Sequence, residues 1–198
     1  MPFRVENFPV YALLIELHLH CGDAEHAMET FKTACRNCLQ RDHGKSAPEG
    51  PSTPGDVLAW GFISLACLNH IRLMLQSTRK SSEAKKKRCG FLNRLLGHPR
   101  LDNVLAAATR HSWEHFDDRL DDIIGRPRPK SYQHFHVSDG PPDSGTLVFR
   151  SIDTKRITIR VLDDEIAIEP CLTEVKALDG AVIAAHDSMA DGRIIAFP

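Results

Sequence analysis

Arg110-His111-Ser112-Trp113-Glu114-His115 concentrates more reactive potential than any other six residues of this chain. A guanidinium is a permanent cation, and an imidazole exchanges a proton near neutral pH. On a helix, His111 and His115 stand one turn apart on one face. Arg110 sits about 140° from His115, a gap that its long side chain spans in part. Such a set can hold a phosphodiester with the guanidinium and move protons with imidazole. On RNA, a base would take the 2′-hydroxyl proton and an acid would protonate the leaving 5′-oxygen. Arg110 would stabilise the charge that gathers at phosphorus. The competing reading pairs these side chains with Glu114, Asp117, Asp118, Asp121 and Asp122, which share the stretch and repel a phosphate backbone.

The elements that must position this motif read as helices. Phe8–Cys21 is followed by Gly22 as a stop and Asp23 as a fresh cap, so two helices, 8–21 and 23–41, are expected as a tight hairpin. Residues 43–54 form a Gly-, Pro- and Ser-rich loop. Thr53-Pro54-Gly55-Asp56 then opens a third helix, 57–77, with a capping hydroxyl, a first-turn proline and an acid at the third position. That helix is apolar on nearly all sides and belongs in the centre of the fold. Residues 79–88 are polar and basic, 91–96 are a short amphipathic piece, and Gly97-His98-Pro99 breaks it. A further helix over 100–124 carries the motif and ends at Gly125.

Beyond Pro129 the pattern changes to short β-branched runs: 135–137, 145–152, 155–162 and 165–168. Asp153-Thr154 and Asp163-Asp164 read as two-residue turns. Residues 172–189 are a closing helix, weakened by Gly180. The expected fold class is therefore α+β, mainly α. It is an antiparallel bundle of four or five helices over 1–130, followed by a small antiparallel sheet or meander over 131–198 with a candidate C-terminal helix returning to the bundle.

The bulk properties bound the partners. The chain has 198 residues, a net charge of −1 and 11 histidines, so a nucleic-acid contact must come from local patches. Arg79-Lys80, Lys85-Lys86-Lys87-Arg88, Arg94 and Arg100 precede the motif, and Arg126, Arg128 and Lys130 follow it. They either flank a phosphate-binding cleft or form a mobile solvated loop. The apolar stretch 8–19 is interrupted by Glu16 and His18 and has no basic leader, and no run of membrane-spanning length is expected. The expectation is a cytoplasmic protein with no membrane contact and no cofactor.

Cysteines 21, 35, 38, 67, 89 and 171 fall mostly at apolar helical positions, which suits free buried thiols. Cys35-x-x-Cys38 lies mid-helix, without a second pair for zinc and without the strand-to-helix setting of a redox motif. Glu16, His18, His20 and His26 are metal-ligand types on one hairpin, yet His18 and His20 point to different faces. His134 and His136 share one face of a strand, as a solvent-facing pair.

Arg110, its polar neighbour His111 and His115 resemble the Arg–x4–His motif of the HEPN family, in which an Arg is followed after four to six residues by a His. The likeness spans residues 8–125 and rests on the motif. It implies a helical bundle and metal-independent endoribonuclease activity. Arg110 would be the phosphate-stabilising cation, His115 the general acid or base and His111 a further polar contact. It also implies a homodimer with two motif helices at one cleft, RNA as substrate and a cognate antitoxin protein as partner. Two other readings stand beside it. One is a non-catalytic dimeric bundle that binds a protein or nucleotide. The other is a metal-binding bundle using His111, His115 and an acid such as Asp118.

Overall fold

The computed structural model describes residues 8–46, 49–106, 131–140, 142 and 145–190. The fold is α+β and mainly helical, with a small four-stranded sheet. Helix α1 runs without a break over Phe8–Asp42. The expected stop at Gly22 does not occur. The buried positions Val10, Leu14, Leu17, Cys21, Ala24, Met28, Phe31, Cys35 and Cys38 follow one another at alternating steps of four and three straight past it. That stripe buries one continuous face, and its burial outweighs the ~1 kcal/mol that a mid-helix glycine costs.

Helix α2, Pro54–Leu75, starts where its signals place it. The Asp56 amide donates to Thr53 Oγ1 at 3.1 Å, and the amides of Thr53 and Ser52 donate to Asp56 Oδ2 at 2.9 and 3.1 Å. These bonds hold the Asp56 carboxyl below the usual range. By length and composition α2 matches a membrane span, contrary to the sequence expectation, but half of that stretch is buried inside the fold. It packs against α1, α3 and the first two strands. Gly61 is the point of closest approach: a Cβ there would stand 3.2 Å from both Phe31 Cε2 and Ile152 Cδ1.

Helix α3, Glu83–Leu95, is capped by Ser82. It takes in most of the basic run that reads as a loop. Three of its side chains close the end of α2. Arg88 Nη2 donates to the Leu73 carbonyl at 3.1 Å, Cys89 Sγ to Met74 at 3.4 Å and Asn93 Nδ2 to Leu75 at 2.8 Å. These are last-turn carbonyls that the helix itself cannot satisfy.

Strands β1 (Ser131–Ser138), β2 (Thr146–Asp153), β3 (Thr158–Val161) and β4 (Asp164–Ala167) pair in chain order. The sheet is mixed, which corrects the antiparallel expectation: β1 runs parallel to β2 with Ser131 opposite Thr146, and only the later pairs are antiparallel. The seven residues between β1 and β2 carry turn signals in Asp139-Gly140 and Pro141-Pro142, but alternation along the two strands does not fix their relative direction. The β2–β3 turn is Thr154–Ile157, longer than the expected Asp153-Thr154. Asp153 Oδ1 organises it by accepting from the Lys155 and Arg156 amides at 3.0 and 2.8 Å. The β3–β4 turn is Leu162-Asp163, one residue earlier than expected.

Helix α4, Ile168–Ala190, returns along α1 as anticipated. Lys32, almost fully buried, bridges Glu29 and Glu169 across that seam at 3.3 and 2.7 Å. A single hydrophobic cluster joins Leu14 and Phe31 of α1, Leu65 of α2, Ile152 and Ile159 of the sheet, and Val175 and Leu178 of α4.

Candidate functional site

Arg110, His111 and His115 lie outside the described residues, as do Asp118, Arg126, Arg128 and Lys130. The structure describes how the chain is held just before them. Arg100 is not helical, so the helix expected from 100 does not start there. Leu101–Ala106 instead form a turn in which the Leu105 amide donates to the Leu101 carbonyl at 2.9 Å. Leu101 and Val104 are buried in the common core.

The exposed end of this turn is gripped from α4. The Asn103 amide lies 3.0 Å from each oxygen of the Glu174 carboxylate, and the Val104 amide donates to Oε2 at 2.9 Å. Asn103 Nδ2 donates to the same carboxylate. A carboxylate thus caps free amides from a partner helix 70 residues away in sequence. The approach to the motif is fixed to the scaffold three residues before the described residues stop at 106.

A second concentration of reactive side chains comes from α1, α2 and α3. His20, His70, Leu73, Met74 and Arg88 line an open cavity of about 260 Å³. The two imidazoles stand 5.1 Å apart, tilted by 49°. His20 Nε2 is 3.3 Å from Glu16 Oε1, one helical turn away. Arg88 is held by the Leu73 carbonyl, and its buried Nε has no hydrogen-bond partner. Sequence reasoning grouped His20 with Glu16, His18 and His26 and passed over His70 and the inward turn of Arg88. The sequence carried a weak signal: Asn69, His70 and Arg72 interrupt a mostly apolar helix, and His70 is the exposed one of the three.

The remaining candidates disperse. His18 Nδ1 is 2.6 Å from Asp179 Oδ1 on α4, while His26 packs edge-on to Trp60. His18, His20 and His26 therefore face three different neighbours. Among the described residues no three His, Cys, Asp or Glu side chains form a group that could hold a metal ion. His134 is exposed beside Phe149, and His136 Nε2 is 2.7 Å from Ser138 Oγ, so the pair serves the strand surface.

All six cysteines are free, and five are buried. Burial pushes the Cys21, Cys35 and Cys171 thiols up to about 12, and it also raises Cys38. The thiolate is the reactive and metal-binding form, so these groups are packing residues at neutral pH.

Comparison with protein-family models, with curated proteins and with solved structures returns no match for this chain.

Proposed function

We propose that this protein is a metal-independent endoribonuclease of HEPN type, acting in the cytoplasm as a homodimer. The observation that carries the reading is the spacing of Arg110, His111 and His115. In the reaction, His115 accepts or donates the proton in transit and Arg110 balances the charge on the phosphoryl oxygens. The 2′-oxygen bonds to phosphorus, the bond to the 5′-oxygen breaks, and that oxygen leaves with a proton. The products are a 2′,3′-cyclic phosphate and a 5′-hydroxyl. His111 is a second polar contact, and two copies bring two such sets to one cleft. A small cognate antitoxin protein is the partner expected to silence it.

Two features support the reading. The helical frame is the kind of scaffold the motif resemblance implies. The Glu174 grip fixes the chain seven residues before Arg110, and a catalytic pair needs that kind of rigid approach. A second reading is favoured by the acids at 114, 117, 118, 121 and 122: a non-catalytic dimeric bundle that binds a protein or nucleotide, with this acidic stretch suited to a basic protein.

The test is RNA cleavage by the purified protein in excess EDTA, beside Arg110→Ala and His115→Ala. Cyclic-phosphate products lost in both variants support the nuclease. Intact RNA with folded wild-type protein overturns it in favour of the scaffold. Cleavage that EDTA abolishes and zinc or manganese restores overturns it in favour of metal chemistry.

A further inference from the structure

Residues 79–100 hold eight of the chain's 25 Lys and Arg residues and one of its 26 Asp and Glu residues. The protein as a whole is slightly acidic, so this is a local, strongly positive surface on a neutral body. Its one acid, Glu83, is taken by Lys86 at 2.8 Å. Among the described residues no carboxylate pairs with Arg79, Lys80, Lys85, Lys87, Arg88, Arg94 or Arg100. Surface cations elsewhere in the fold do find acids: Arg156 and Arg160 share Glu165, and Lys176 bridges Glu25 and Glu29. Apart from Arg88, which donates to the Leu73 carbonyl, these cations on and beside α3 make no bond that holds the fold, and their mutual repulsion works against it.

The helix that carries the cations is also held in place. Arg88, Cys89 and Asn93 bind the end of α2, and Phe91 and Leu92 are buried, so α3 cannot swing. Lys87 and Arg94 stand two turns apart on its exposed face, with the Arg94 guanidinium lying over Gly90 between them. Beside the helix lies the notch of His20, His70 and Arg88. Its volume of about 260 Å³ has room for a phosphate, and its His70 ring makes no hydrogen bond.

We infer that α3, with the His20–His70–Arg88 notch at its side, is the docking surface for the phosphodiester backbone of a single-stranded nucleic acid. Spaced fixed cations neutralise successive phosphates and release their counterions. The notch seats one phosphate between Arg88 and the imidazoles. An anionic membrane fits less well. The apolar side of α3 that would enter the bilayer is already buried in the core, as Cys89, Phe91, Leu92 and Leu96. The inference rests on the nuclease reading only in making RNA the first strand to test.

The experiment is fluorescence anisotropy with a labelled 12-nucleotide RNA, the same sequence as DNA, and vesicles rich in anionic lipid. It uses the full chain carrying His115→Ala, so that binding is read without cleavage. Variants add Lys85→Gln, Lys87→Gln and Arg94→Gln together, or His70→Asn alone. None of these four side chains bonds the core, so folding is preserved and circular dichroism checks it. The triple variant should weaken strand binding at least tenfold at about 100 mM salt. Its log–log salt slope should fall by about 2, at ~0.7 per lost phosphate contact. His70→Asn should weaken binding about threefold.

RNA tighter than DNA marks RNA as the ligand, and equal binding assigns the surface to either strand. No binding by wild-type residues 79–100, binding unchanged in the triple variant, or preference for vesicles overturns the inference. Strand binding by a protein that never cleaves RNA keeps this surface and sinks the nuclease. Cleavage that survives the same three substitutions unchanged, made in the chain that keeps His115, does the reverse.

Discussion

Removing the Glu174 carboxylate should loosen the chain immediately before the motif while leaving the rest of the fold intact. The carboxylate accepts from two backbone amides and one side-chain amide of a single turn. Val104 is fully buried, so its amide has little access to replacement water. Asn103 is exposed, and its share must be discounted accordingly. A helix-terminal cap is worth ~1 kcal/mol, and a charged acceptor to a half-buried amide about the same again. Glu174→Ala should therefore cost about 2 kcal/mol. Glu174→Gln, which keeps one acceptor oxygen, should cost about half as much.

For a chain of this size that places Glu174→Ala roughly 4–8 °C below the wild type in thermal unfolding. The decisive assay is amide exchange. The amides of Asn103 and Val104 should exchange at least tenfold faster in Glu174→Ala, with the amides of α1 and α2 unchanged. On the nuclease reading the same variant loses activity without losing RNA binding, because α3 is untouched. A destabilisation under about 0.5 kcal/mol with unchanged exchange at 103 and 104 would mean that those bonds do not exist in solution.

Two further outcomes follow from the packing. Gly22→Ala should stabilise the protein by up to ~1 kcal/mol, since nothing lies within 4 Å of the new methyl. Gly61→Ala should destabilise it by about 1 kcal/mol, because the same helix gain is exceeded by pressing a methyl to 3.2 Å from Phe31 and Ile152. Urea midpoints that move in the same direction for both would remove the argument. The buried thiols predict alkaline lability. Their folded values of about 12 lie above the unfolded value, so their contribution is complete below the unfolded value and fades as pH rises through it. Above pH ~9 each of Cys21, Cys35 and Cys171 should add roughly 1.4 kcal/mol of stability loss per pH unit. Cys→Ala at each site should flatten the measured slope by that amount, and an unchanged slope would contradict it.

Local signals were readable where one short stretch carries all the physics. The capping box at Thr53 and Asp56 needs four consecutive residues, and α2 begins there. The return helix α4 declares itself by apolar spacing despite Gly180. The reading failed where a local signal opposed a longer one. Gly22-Asp23 looks like a stop and a start, yet the four–three stripe from Val10 to Cys38 continues through it. The direction of β1 was not legible because alternation fixes which face a strand buries and says nothing about which way it runs. The grip on Asn103 was not legible either: Glu174 lies 71 residues away, and its neighbours mark it only as an ordinary exposed acid. Cys35-x-x-Cys38 was correctly read as packing, because a mid-helix position on the buried stripe is sufficient reason for both thiols.

The basic run at 85–88 shows why composition alone leaves function undecided. As a sequence it fits a mobile solvated loop equally well, and mobile charge binds a polyanion only by first giving up its freedom. The fold removes that cost in advance. Arg88, Cys89 and Asn93 face inward to the α2 carbonyls, and this side of α3 is what holds Lys87 and Arg94 outward at fixed separation. The two faces are therefore coupled. Asn93→Ala takes no charge from the surface, yet it frees the Leu75 carbonyl and loosens the seat of α3. If the charge array works by being rigid, Asn93→Ala should weaken strand binding several-fold at unchanged net charge, with little change in salt slope. Binding indifferent to Asn93→Ala but sensitive to the lysines would mean that charge alone, and not its fixed arrangement, recruits the strand.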